Sequence, residues 1–195
     1  FGTMVISGVS TFSGTLTVGT NGGKIIIADQ GTVINAPITV NIGGEVIVDN
    51  NSGANLANRI GELATVTLSG GTFTMVGKAG EASSEAIGAI TLSDNTSSVF
   101  RSYVSDDGVS SAEWRVASLS GVGNGRFVRF IGEGTEIGAA TNNRIAFTAA
   151  PGLLDGILNQ AVIENRVAGG PNEGLQFATR HNPDATKGAF NIFLD

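Results

Sequence analysis

Short apolar clusters alternate with polar turns along the first half of the chain, and each cluster is only two or three residues long. Glycine and asparagine fill the turns, where they allow the positive φ angles that sharp corners require. Strands this short cannot bury an apolar face alone, so each must stack on another strand. The clusters are Leu16–Val18, Ile25–Ile27, Val33–Ile34, Ile38–Val40 and Val46–Val48.

The spacing of these clusters predicts the architecture. The cluster at Leu16 recurs at Ile38 and the cluster at Ile25 recurs at Val46. This interval of roughly 20–22 residues is typical of repeating coils. Helix patterns are nearly absent. The sequence therefore predicts an all-β fold, namely a right-handed parallel β-helix (β-solenoid) with short coils.

The second half of the chain has a different pattern. The segments Val99–Val104 and Arg126–Ile131 are longer and alternate apolar with polar positions. Because longer strands require wider coils, we expect the coils to widen toward the C-terminal half, with the change near residue 100. No linker separates the two halves, so we predict a single β-solenoid domain that spans residues 1–195.

Apolar strand patterns also occur near both ends of the sequence. An uncapped solenoid end presents unpaired backbone groups and bare apolar side chains. Two interpretations stay open: the end strands fold onto their own coils, or one of them pairs with the next subunit. The second interpretation predicts a subunit interface that contains Met4, Val5, Ile6, Phe190, Ile192, Phe193 and Leu194.

Three stretches carry a family resemblance. The run Asn58–Phe73, the segment Ser84–Leu92 that follows it, and the later run Thr141–Pro151 resemble the autotransporter-associated β-strand repeat proteins. That family consists of large, secreted, solenoid-forming bacterial proteins. The resemblance implies an extracellular or cell-surface β-helix, and the motif says little about activity.

Composition narrows the possible partners. Only 14% of the 195 residues are charged, and 11 Lys+Arg against 17 Asp+Glu give a net charge of -6. Because the chain has no basic run, nucleic acid and anionic membrane surfaces are poor partners. No apolar stretch approaches the ~20 residues of a membrane span. We therefore expect neither nucleic-acid binding nor membrane insertion.

The same composition favours a location outside the cell. Few charges and many Ser, Thr, Asn and Gly residues are typical of secreted β-structure, and the sequence begins at Phe1 without an initiator Met. We therefore expect an extracellular or cell-surface protein from which an export signal has been removed. A piece of a larger chain is the alternative.

Few residues offer chemistry. Cysteine is absent and His181, which we interpret as a loop residue, is the single histidine, so thiol nucleophiles and Cys/His zinc sites are excluded. Asp29, Asp49 and Asp94 stand in turn sequences, where a carboxylate usually caps the turn. The pair Asp106–Asp107 lacks the alternating pattern of a calcium loop. We predict no catalytic residue, no metal and no cofactor, and a protein that is not an enzyme. Cleavage of polysaccharides by clustered carboxylates is the remaining enzymatic hypothesis.

Two aromatic residues are candidates for glycan contact. Tyr103 and Trp114 are the single tyrosine and the single tryptophan. An exposed aromatic ring can stack on a sugar, whereas a wide coil can bury Trp114 completely, and both interpretations stay open.

The function predicted from sequence is therefore structural. We expect an extracellular β-solenoid subunit that assembles with copies of itself, end to end, into a filament or cell-surface layer. The alternative is a glycan-binding or adhesin module of a larger surface protein, with surface glycans as partners.

Overall fold

The protein, examined as a computed structural model, is all-β, and no helix occurs among the residues that the structure describes. These are residues 2–93, 95–122, 125–138, 142–155, 157–167, 175–181 and 190–193, with the backbone alone for 179–181 and 190–193. The strands are β1 (Thr3–Ile6), β2 (Leu16–Val18), β3 (Lys24–Ile27), β4 (Ile38–Asn41), β5 (Glu45–Asp49), β6 (Val66–Ser69), β7 (Thr72–Val76), β8 (Ala82–Leu92), β9 (Ser97–Tyr103), β10 (Ser111–Ser120), β11 (Phe127–Glu133), β12 (Asn143–Phe147), β13 (Ala161–Arg166), β14 (Gln176–Phe177), β15 (Thr179–His181) and β16 (Phe190–Phe193).

The strands form two sheets, and up to β13 consecutive strands lie in opposite sheets. The first sheet has the order β1-β3-β5-β7-β9-β11-β13-β14, and the second has the order β2-β4-β6-β8-β10-β12-β16-β15. From β1 to β13 every pairing is parallel, and each strand pairs with the strand two positions later in the chain. The prediction of an all-β fold is confirmed.

Aligned rows of apolar side chains form the core. In the first sheet, one row places each residue directly opposite the next: Ile25, Val46, Phe73, Phe100, Phe130 and Ile163. In the second sheet, Val18, Val40, Leu68 and Leu92 are aligned in the same way. All of these residues are buried and belong to one continuous cluster. The two sheets therefore share a single core.

Aromatic rings fill the middle of this core. Phe73 and Phe100 stack with their centroids 5.8 Å apart, and Trp114 on the opposite sheet lies 5.2 Å from Phe73 and 4.9 Å from Phe100. The indole N–H of Trp114 donates a hydrogen bond to the Arg101 carbonyl at 3.2 Å. Offset and tilted ring pairs at these distances add stability beyond their buried area.

In the first sheet, the length of chain between aligned residues increases along the sequence. Near the start of the first sheet Ile25 is opposite Val46, whereas near its end Phe130 is opposite Ile163. The longest strands, β8 with 11 residues and β10 with 10, lie in the second sheet. Strands of seven or more residues run from β8 to β11 and therefore begin at residue 82, somewhat before the change that the sequence predicts near residue 100.

The last strands depart from the parallel pattern. β14 runs antiparallel to β13, and β16 lies antiparallel to both β12 and β15. The C-terminal part of each sheet is therefore finished by strands that reverse the chain direction.

Candidate functional site

The N-terminal end of the first sheet has a free edge. Within the described part of the chain, β1 pairs only with β3, so one side of its backbone has no strand beside it. Met4 is 52% exposed and Val5 is 58% exposed, whereas Ile25, the next residue in the Met4 row, is 7% exposed. A single additional layer of chain is thus enough to bury a side chain at this position of the row.

Two further apolar side chains lie on the same first turn of chain. Val9 is 73% exposed and is held by an isolated bridge to Thr32, and Phe12 is 47% exposed. We refer to Met4, Val5, Val9 and Phe12 as the N-terminal apolar edge. Unpaired backbone beside exposed apolar side chains is the arrangement that another strand can extend. Ile6, also predicted at the interface, is only half-buried and lies opposite Ile27.

The predicted interface at the other end is not favoured by the backbone pairing of β16. The backbone of Phe190 pairs with Phe147 of β12, and that of Ile192 pairs with Arg180 of β15. The strand β16, which also contains Phe193, is therefore paired on both sides within its own chain and has no free edge for a second subunit. This pairing favours the interpretation in which the end strand folds onto its own chain. Leu194 lies outside the described residues.

The glycan contact proposed for Trp114 requires a correction. The side chain of Trp114 is fully buried between the two sheets, so the ring has no face that a sugar could reach. Tyr103 lies half-exposed on the outer side of β9, opposite Val76 and Glu133. The glycan hypothesis thus loses one of its two aromatic residues.

Two of the three aspartates predicted to cap turns, Asp29 and Asp49, lie at turns in the structure. Asp49 accepts hydrogen bonds from the backbone N–H groups of Asn51 and Ser52 at 2.9 and 3.0 Å, as expected for a turn cap. Asp29 has a positive φ of 52°, which places it at a corner. Asp94 lies outside the described residues. Within the described chain no group of three or more His, Cys, Asp or Glu is placed to hold a metal ion.

The pair Asp106–Asp107 is also part of a turn. Hydrogen bonds from the Ser110 hydroxyl and from the backbone N–H groups of Ser110 and Val109 hold the pKa of Asp107 well below its usual range. The carboxylate of Asp107 therefore accepts hydrogen bonds from its own loop and from the Gly80 N–H.

His181, which the sequence analysis interprets as a loop residue, instead lies in β15.

The sequence does not predict a polar cluster in the core. Arg59 is fully buried, and its guanidinium donates to the carbonyls of Gly31 and Asp29, each at 2.9 Å, and to that of Ala54. Its Nε donates to Asn50 Oδ1 at 2.6 Å. These bonds tie together three separate stretches of chain.

Glu85 completes this cluster. Its carboxylate, fully buried in β8, accepts the backbone N–H groups of Arg59 at 3.0 Å and Ile60 at 2.9 Å. Burial raises the pKa of Glu85 to about 8, although these two N–H groups and the charge of Arg59 act in the opposite direction. Burial also lowers the pKa of Arg59. Because the polar atoms of the cluster serve the backbone around them, we interpret it as a structural element.

The chain has no match among protein-family models, curated proteins or solved structures. The resemblance to the autotransporter-associated repeat proteins therefore stays a prediction. In the described part of the chain no helix is long and apolar enough to cross a membrane.

Proposed function

We propose that this protein is an extracellular structural subunit, a right-handed β-solenoid that assembles end to end into a filament or surface layer. From β1 to β13, parallel pairing of each strand with the one two positions later supports the winding, because the chain must return in the same direction before each pairing. The lengthening interval between aligned residues supports coils that widen along the chain.

The N-terminal apolar edge is the observation on which this proposal depends. Full burial of an apolar side chain contributes about 1.5–3 kcal/mol, and Met4, Val5 and Phe12 are already partly covered. Association costs on the order of 4–15 kcal/mol in lost freedom. Side-chain burial alone therefore does not suffice, and the hydrogen bonds along the free side of β1 have to contribute.

The two ends of the sheets are different, which supports an open polymer. At one end, the first sheet finishes with β1, which runs parallel to its neighbour β3. At the other end, the two sheets finish with β14 and β15, which run antiparallel to their neighbours. A contact between two different surfaces of identical subunits produces an open chain unless its rotation closes a ring.

The experiment compares the 195-residue protein with Met4→Lys over a wide concentration range, by sedimentation velocity and electron microscopy. Met4 is half-exposed, so the variant is expected to fold, and its charge would lie in the contact and prevent the next subunit from stacking. We expect wild-type protein to form fibres or sheets as concentration rises and Met4→Lys to stay monomeric.

The matched control is Leu63→Lys, which places the same charge at an exposed apolar position in a turn, away from the N-terminal apolar edge. It is expected to assemble like wild type. Wild-type protein that stays monomeric at every concentration would contradict the proposal, and so would a Met4→Lys variant that assembles normally.

A further inference from the structure

Hydroxyl side chains form a continuous row on the outer face of the second sheet. Thr17 of β2 lies opposite Thr39 of β4, which lies opposite Thr67 of β6. Thr91 of β8 and Ser120 of β10 continue the row. The hydroxyls of Thr91 and Ser120 lie 3.2 Å apart. None of these five side chains is buried, so the row faces solvent.

A second row runs beside the first, two residues earlier in the chain at each level, and its first three members come directly before β2, β4 and β6. Parallel register and the hydrogen bonds from the N–H of Leu16 to Pro37 and from the N–H of Ile38 to Thr65 align its members. It consists of small or hydroxylated residues, and none of them carries a charge: Thr15, Pro37, Thr65, Ala89 and Ser118. We refer to the two rows together as the hydroxyl face.

The outer face of the first sheet is different. There Glu45 forms ion pairs with Lys24 and with Arg101, each at 2.8 Å, and Arg101 also pairs with Glu133 at 3.3 Å. The outer side of the second sheet is also charged further along its strands, where Glu113 of β10 pairs with Arg115 and with Arg144 of β12. The ten positions of the hydroxyl face carry no charge.

The hydroxyl face is difficult to recognise in the sequence, because the lengths of chain between successive members of each row are unequal. Each strand contributes an apolar residue followed by Thr or Ser, as in Leu16–Thr17, Val66–Thr67 and Leu119–Ser120. The lengths of chain between these pairs differ, so no fixed period reveals them. The apolar residue before each hydroxyl, which points to the opposite side of the strand, is the signal that could have found them.

We propose that the hydroxyl face binds ice. Neighbouring strands in a sheet are about 4.7–4.9 Å apart, so the backbone positions of the row repeat at this distance, close to an oxygen repeat of hexagonal ice. The hydroxyls of Thr91 and Ser120 lie closer together because they hydrogen-bond to each other. Threonine has restricted χ1 rotation, which holds each hydroxyl and methyl group in a defined position. A regular row of this kind holds water molecules at lattice positions, and the methyl groups exclude disordered water between them.

The lack of charge is consistent with this partner. A charged side chain orients its hydration shell around itself, which conflicts with a neutral lattice, and no charged residue occurs in either row. A crystalline polysaccharide is the competing flat partner, but carbohydrate surfaces are recognised chiefly through stacked aromatic rings. None of the ten residues in the two rows is aromatic, so ice fits the face better.

The experiment measures the partition of the protein into slowly growing ice, together with thermal hysteresis and crystal shape. Wild type is expected to enter the ice and to shape its crystals. Thr67→Tyr places a large ring in the middle of the row, and Thr17→Lys places a charge at its exposed end. Both variants are expected to lose partitioning to the level of an unrelated soluble protein. A urea unfolding curve for each variant verifies that the fold is retained.

The matched control is Thr72→Tyr, the same substitution at a half-exposed threonine on the outer face of the first sheet. It is expected to partition like wild type. Wild-type protein that is excluded from ice would overturn the proposal, as would equal loss in Thr72→Tyr and Thr67→Tyr. Binding to crystalline chitin or cellulose without binding to ice would replace it with a polysaccharide partner. Met4→Lys is expected to keep ice binding, so this proposal and the assembly proposal can fail separately.

Discussion

At the scale of single residues, Glu85 is held in an environment that opposes its charge. The carboxyl group is fully buried and receives two backbone N–H groups, and Arg59 is its nearest cation in the cluster. Burial outweighs these favourable contacts, because removing a carboxylate from water costs several kcal/mol. Its ionisation is therefore coupled to folding.

This coupling predicts that stability falls as pH rises. The pKa of Glu85 is raised from 4.5 in its ordinary state to about 8 in the folded protein, so between these values the folded state binds more protons than the unfolded state. The stabilisation is complete below pH 4.5 and is lost progressively up to about pH 8. We expect the free energy of unfolding, measured by urea titration, to fall by a few kcal/mol across this window.

Two variants test whether Glu85, rather than another carboxylate, causes the decline in stability with rising pH. Glu85→Gln cannot ionise, so it is expected to lose the decline between pH 4.5 and 8. Glu136→Gln, at an exposed position, is expected to keep the decline of the wild type. An unchanged pH dependence in Glu85→Gln would show that the decline has another source.

Some residue roles could be predicted from sequence and others could not. Asp49 caps its turn as predicted, because the side chain bonds to backbone two and three residues away. Arg59 and Glu85 could not be found in the same way. Arg59 bonds to Asn50 and Ala54 nearby, but the bonds that join Glu85 to Arg59 and Ile60, and Arg59 to Gly31, span 25 residues or more. The sequence near either residue therefore does not reveal the cluster.

At the scale of elements, Gly31 controls how closely the turn after β3 approaches β1. A Cβ atom at Gly31 would overlap the carbonyl oxygen of Ile6, the last residue of β1. The same carbonyl accepts the N–H of Ala28 at 3.0 Å. The free-edged strand is thus attached at a point where only glycine fits.

We expect Gly31→Ala to destabilise the protein by about 1–3 kcal/mol, since the backbone has to shift to admit the methyl group. Gly19→Ala is the matched control, because nothing lies within 4 Å of a Cβ at that position. Its stability is expected to stay close to that of wild type. Urea unfolding measures both, and equal stability of the two variants would contradict this account of Gly31.

The strands themselves were largely predictable, but their partners were only partly so. The clusters at Leu16, Ile25, Ile38 and Val46 are strands, whereas Val33 forms only an isolated bridge to Ile60. An apolar strand pattern near Phe190 is present as predicted, yet alternation determines which face is buried and not which strand lies alongside. The antiparallel pairing of β16 therefore could not be read from the sequence.

At the scale of the whole molecule, each strand depends on its immediate neighbours. β7 has a parallel partner on each side, whereas β1 has one. In such an arrangement an end can open without disturbing the middle. The protein should therefore differ in local stability along its length.

Hydrogen exchange tests this difference. Under monomeric conditions we expect the backbone amides of Thr72–Val76 to exchange more slowly than those of Thr3–Ile6, because opening of the former requires two strand pairings to break. Raising the protein concentration until assembly occurs is expected to slow exchange in Thr3–Ile6. Equal exchange in the two segments at low concentration would indicate a single cooperative unit instead.

The aligned register also determines which insertions and deletions the fold can accept. Ile38 lies opposite Val66, so residues 38–65 carry the chain from one aligned position to the next. Duplicating or removing a stretch of this kind leaves each remaining strand beside a neighbour with the same inward and outward positions. An insertion of one residue within a strand, by contrast, turns every later side chain of that strand to the opposite face. Proteins built on this plan are therefore expected to evolve by gaining or losing whole repeats, and the unequal spacing of the aligned residues is compatible with later, smaller changes confined to the turns.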